Sequence, residues 1–82
     1  MTLNDIAARC SKFSGFNLRV EVENADVKKV VFFDPMDTSI GSQSRLVLYA
    51  GPCGLGIREA YGRMHHWAIT PEEEQVILRE LQ

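Results

Sequence analysis

Residues 16–23 read Phe-Asn-Leu-Arg-Val-Glu-Val-Glu, with Phe16, Leu18, Val20 and Val22 apolar and Asn17, Arg19, Glu21 and Glu23 polar. An unbroken period of two over this length specifies a strand with one face buried and the other in water. That strand constrains everything around it. It needs neighbours for its backbone hydrogen bonds and a layer of other elements over its apolar face.

The flanking segments supply both. Asn24-Ala25-Asp26 is a polar link of hairpin length, and residues 27–33 are β-branched and aromatic enough to return as a second strand. There the alternation fails, because Val30, Val31, Phe32 and Phe33 are apolar on both sides. The second strand is therefore either central and covered on both faces or bulged. Asp34-Pro35 closes it, and residues 36–44 form a loop of small and polar residues. Residues 45–50 make a third strand and lead into Gly51-Pro52-Cys53-Gly54-Leu55-Gly56, which holds half of the chain's six glycines. Residues 57–63 fit a one-turn helix or an irregular crossing equally well, and Gly62 weakens both. Residues 64–69 give a fourth strand, with His65, Trp67 and Ile69 on one side and Met64, His66 and Ala68 on the other.

Helices are predicted at both ends. Leu3, Ile6, Ala7, Cys10 and Phe13 share one face at helical spacing, Thr2 caps the start, and Ser14-Gly15 ends the helix. At the other end, Thr70, Pro71 and Glu73 form a capping box with proline at the first helical position, and a helix follows over 71–81. It buries Val76 or Ile77, Leu78 and Leu81, while Glu72, Glu73 and Glu74 complement the helix dipole. The expected fold is α+β: an antiparallel sheet of three to four strands with the N-terminal and C-terminal helices on one face, in the order α-β-β-β-β-α. Residues 1–82 form a single domain, near the lower size limit for a fold without staples.

Composition narrows the functional classes. Hydrophobic residues are 45% of the chain and charged residues 24%, as in ordinary globular domains. No apolar run reaches the ~18 residues that a membrane helix needs, and the first residues lack the pattern of a secretion signal. Two cysteines far apart in sequence read as free thiols in a reducing cytoplasm. A net charge of −2 with dispersed Lys and Arg argues against nucleic acid as the main partner, and the lack of a long apolar run leaves no membrane partner expected.

Each candidate for chemistry has a plainer explanation. The Gly51, Gly54 and Gly56 spacing matches no phosphate-binding fingerprint, and Pro52 removes an amide donor. A turn whose glycines supply positive φ suffices. Cys53 with His65 or His66 would need an oxyanion site and a cleft to act as nucleophile and base. Cys10, Cys53, His65 and His66 lack the close ligand pairs of zinc sites, so no metal and no cofactor are expected. Asp34 and Asp37 flank a turn, and turn chemistry explains both.

Elimination leaves a non-catalytic module that binds another protein. Its expected contacts are the arginine and aromatic segment with Arg58, Tyr61, Arg63 and Trp67, or the carboxylates Asp34 and Asp37, taken as exposed. Such a module would act as an inhibitor, regulator or adaptor by occupying a partner's surface. Its size and charge fit the general profile of phage or mobile-element inhibitors of host machinery, including CRISPR effectors. Two alternatives remain at this level: a small anion- or ligand-binding enzyme domain centred on 51–66, and a subunit or homodimer assembled through an exposed strand.

Overall fold

In the computed structural model, which describes residues 1–37, 43–61 and 69–82 except the side chains of residues 13, 14, 57 and 58, two helices cover one face of an antiparallel sheet. The elements are α1 (Leu3–Ser14), β1 (Arg19–Asn24), β2 (Lys28–Phe33), β3 (Arg45–Gly51), β4 (Gly54–Tyr61) and α2 (Pro71–Glu80). The described strands lie in the order β1-β2-β3-β4, a simple meander.

Both helices begin where their local chemistry dictates. The Thr2 hydroxyl accepts from Asp5 N while the Asp5 carboxylate accepts from Thr2 N at 2.8 Å. Thr70 and Glu73 repeat the arrangement at α2, with Pro71 at its first position. α1 ends at Gly15, whose left-handed φ of 79° lets its N–H reach Ser11 O.

The helices and the sheet share one core. Leu3, Ile6, Ala7 and Cys10 from α1 and Val76, Ile77 and Leu81 from α2 and its end meet Val30, Phe32, Leu46 and Leu48 from the two central strands. These four sheet residues are consistent with the register, since Phe32 pairs with Leu46 and Val30 with Leu48. β2 is thus central but covered by helices on one face alone: Val30 and Phe32 are buried beneath them, while Val31 and Phe33 are half-buried on the other face.

Several expectations need correction. The first strand begins at Arg19 and not at 16, because Leu18 N donates to Ser11 Oγ at 2.9 Å and Asn17 N to the Asp34 carboxylate at 3.3 Å. Backbone groups held by side chains cannot also join a ladder. Val22, read as buried, is 44% exposed because β1 lies at the sheet's edge. The bulge falls between β3 and β4 at Tyr49/Ala50, where Gly56 is the extra residue, and not in β2. Of residues 57–63, read as a one-turn helix or an irregular crossing, 57–61 instead belong to the strand Gly54–Tyr61 that pairs with β3, and 62 and 63 lie outside the described residues. The expected strand over 64–69 falls mostly outside the described residues; Ile69 itself is buried and belongs to no strand.

Candidate interaction surface

Strand geometry sends alternate side chains to opposite faces, so the residues between the core positions form a second face, helix-free among the described residues. Three rows cross it in register. Arg19, Phe33, Arg45 and Tyr61 form the first, Glu21, Val31, Val47 and Glu59 the second, and Glu23, Lys29 and Tyr49 the third. Its three cations and three carboxylates balance, so it lacks the basic excess that phosphate binding requires.

The register turns these rows into a connected array. Lys29 stands opposite Glu23 and forms an ion pair at 3.3 Å. It also stands opposite Tyr49, whose ring centre is 6.0 Å from its ammonium. The Tyr49 hydroxyl donates to Glu59 Oε2 at 3.3 Å, and the Tyr61 hydroxyl donates to the same oxygen. That bond, before any effect of burial, raises the Tyr61 phenol above its ordinary range. Arg45, the register partner of Tyr61, lies over its ring at 4.5 Å. A continuous series therefore runs Glu23, Lys29, Tyr49, Glu59, Tyr61, Arg45 across all four strands. Val47 sits within its bend and is only 3% exposed.

On the β1 side the array opens into a depression of about 240 Å³, lined by Glu21, Glu23, Lys29, Val31, Phe33, Gln43 and Arg45. A second hollow, of about 380 Å³, lies elsewhere, between the β3–β4 turn and the end of α2. Its walls include Gly51, Pro52, Gly54 and Leu78.

The glycine-rich segment is the turn of the β3–β4 hairpin. Gly51 pairs with Gly54, Pro52 and Cys53 occupy the two turn positions, and Gly54 takes a φ of 112° that a side chain would strain. Cys53 is an exposed free thiol on this turn. Cys10 is likewise in no disulfide and lies in the core, where burial pushes its thiol up against the lowering influence of Arg9. Among the described residues no three His, Cys, Asp or Glu side chains come together as a metal would require.

The structure distributes the sequence-derived contact candidates widely. Tyr61 lies on the helix-free face at the β4 end of the array, 38% exposed. Asp34 is not the exposed carboxylate it was taken for: it is 9% exposed, and its oxygens accept from Asn17 N and from Met36 N at 2.9 Å. The turn after β2 supplies the Met36 amide, and the pairing of Arg19 with Phe33 brings the Asn17 amide alongside. Asp37 is half-buried and accepts from Ser44 N at 2.9 Å. Arg58 belongs to β4, where its backbone pairs with Leu48. Arg63 and Trp67 lie outside the described residues, as do His65 and His66.

Lys29, Arg45, Tyr49 and Glu59 were not singled out from the sequence, although the period-two placing of Arg45, Val47 and Tyr49 was available as a signal. What the sequence lacked was the partner row, since nothing local identified 54–61 as a strand. Comparison with protein-family models, with curated proteins and with solved structures finds no match.

Proposed function

We propose that this chain is a non-catalytic protein-binding module that presents the helix-free face of its sheet to a partner and acts as an inhibitor or regulator by covering that partner's surface. The observation that carries this is the array of Lys29, Tyr49, Glu59, Tyr61 and Arg45. Tyrosine and arginine are the residue types that dominate binding energy at protein interfaces. Here they hold one another through Glu59 and through stacking before any partner arrives. Prior ordering reduces the entropy lost on association. The balanced charge of the face favours another protein over nucleic acid as the partner. A phage or mobile-element inhibitor acting on cytoplasmic host machinery, such as a CRISPR effector, is one member of this class.

The test is affinity capture from bacterial lysate with the full chain and with a variant carrying Tyr61→Ala and Arg45→Glu, whose folding is checked by circular dichroism. A specific partner should be retained by the wild type and bound roughly thirtyfold less tightly by the variant, the loss expected for one hot spot. Equal retention of every captured protein by a folded variant would overturn the proposal.

A further inference from the structure

β1 carries an interaction edge. Among the described residues it pairs only with β2, so one row of its backbone N–H and C=O groups has no partner strand. Five of its six residues are exposed, Val20 alone being half-buried. It contains no Pro, no Lys and no bulge, and its guards against indiscriminate pairing are the charges of Arg19, Glu21 and Glu23.

We infer that β1 docks an extended segment of a protein partner, added antiparallel as every other pair in this sheet is, with a lysine or arginine opposite Glu21. The inference rests on the protein-binding reading above and specifies how the partner is held. Backbone hydrogen bonds supply the pairing, and alternate side chains supply the selectivity.

Charge and shape indicate the occupant. Among the described residues Glu21 has no ion-pair or hydrogen-bond partner, while Glu23 is shared with Lys29. Glu21 also lines the depression floored by Val31 and Phe33. A lysine or arginine on the added strand opposite Glu21 would bring its charge to that carboxylate, at the β1 rim of the depression. Arg19 calls for an acidic residue two positions further along the added strand. Val20 and Val22, on the helix side, call for aliphatic residues at the intervening positions, and Val22 is open enough to gain a neighbour.

A second copy of the chain fits less well. In a two-fold antiparallel pair centred on Glu21, the two Glu21 side chains oppose each other. Centred on Val22, Glu21 opposes the other copy's Glu23. Like charges directly opposite are destabilising. A pair centred on Val20 avoids this but must recruit residues 17 and 18. Their amides are already donated to Asp34 and Ser11.

The experiment is an NMR titration of the full ¹⁵N-labelled chain with the synthetic peptide acetyl-Thr-Thr-Val-Lys-Val-Glu-Thr-amide and its charge-swapped counterpart, acetyl-Thr-Thr-Val-Glu-Val-Lys-Thr-amide. The first should shift the amides of residues 19–24 and slow their hydrogen exchange. The counterpart should bind roughly tenfold more weakly, because two favourable cross-strand pairs become like-charge pairs. Glu21→Lys, at an exposed position and with its fold checked by circular dichroism, should lessen or reverse the preference. N-methylation along one edge of the first peptide should abolish binding. No shift at millimolar peptide, equal binding of both peptides, or a concentration-dependent dimer whose β1 amides are already protected would overturn the inference. Loss of peptide binding with Tyr61-dependent partner capture intact would overturn the edge alone, leaving the face reading standing.

Discussion

Glu73 does two jobs with one carboxylate. It closes the capping box of α2 by accepting from Thr70 N at 3.0 Å, and it receives a two-pronged pair of hydrogen bonds from Arg9 of α1 at 2.7 and 2.8 Å. Its side chain is 4% exposed and that of Arg9 is 38%, so the pair seals the junction of the two helices at the edge of the core. Burial pushes the Glu73 carboxyl up, but the bonds from Arg9 and Thr70 outweigh it and hold the group below its ordinary 4.5. The sign of the linkage follows: a carboxyl lowered in the folded state adds stability that is fully present above its unfolded value and is lost as pH falls through the folded one. Arg9→Met should destabilise the chain at neutral pH by about 2 kcal/mol, less than for a fully buried pair because Arg9 keeps water contact. Urea titrations at pH 7 and below pH 4 check this, and the difference between wild type and variant should shrink at the lower pH. A difference that stays constant with pH would mean that Arg9 acts through packing alone.

At the level of elements, the β3–β4 hairpin separates two glycines that look alike in sequence. Gly54 has a φ of 112°, and a Cβ there would come within 3.9 Å of Leu78 Cδ1. Gly56, at the bulge, has a φ outside the left-handed region and open space around it. Gly54→Ala should therefore cost about 1 kcal/mol or more through backbone strain, and Gly56→Ala should fall within about 0.5 kcal/mol of wild type. Denaturant midpoints of the two variants decide the matter, and a reversed order would contradict the turn geometry. The same hairpin shows why some elements were legible and one was not. The helices announce themselves through Thr2, Asp5, Thr70, Pro71 and Glu73, whose capping works within a single turn of chain. β1 announces itself through alternation. β4 has neither signal, because Gly54, Gly56 and Ala60 have weak strand preference and the segment becomes a strand by pairing with β3.

For the molecule as a whole, the sheet divides stability from recognition. Phe32 and Leu46 face the helices and are at most 1% exposed, whereas Tyr61 on the opposite face is 38% exposed. Phe32→Ala should cost about 3–5 kcal/mol by opening a cavity in the shared core. Tyr61→Ala should leave stability close to wild type, because an exposed cation–π contact and hydrogen bond contribute little. Thermal and urea unfolding of the two variants measure the contrast, and a large loss from Tyr61→Ala would make that residue part of the scaffold. The candidate face was partly legible: Tyr61 stood out by its type, while Asp34 stood out for the same polarity that in fact commits it to the amides of Asn17 and Met36. By itself the sequence determined the α+β class, both helices with their caps, an alternating first strand within 16–23 and a glycine-bearing turn within 51–56, because periodicity, capping and turn chemistry act between near neighbours. Only the tertiary structure decided the strand identity of 54–61, the Arg9–Glu73 clamp between residues 64 positions apart, and the alignment of Lys29, Tyr49, Glu59, Tyr61 and Arg45. Those depend on strand register and helix docking, which are set by the burial of Val30, Phe32, Leu46 and Leu48 beneath two helices from opposite ends of the chain.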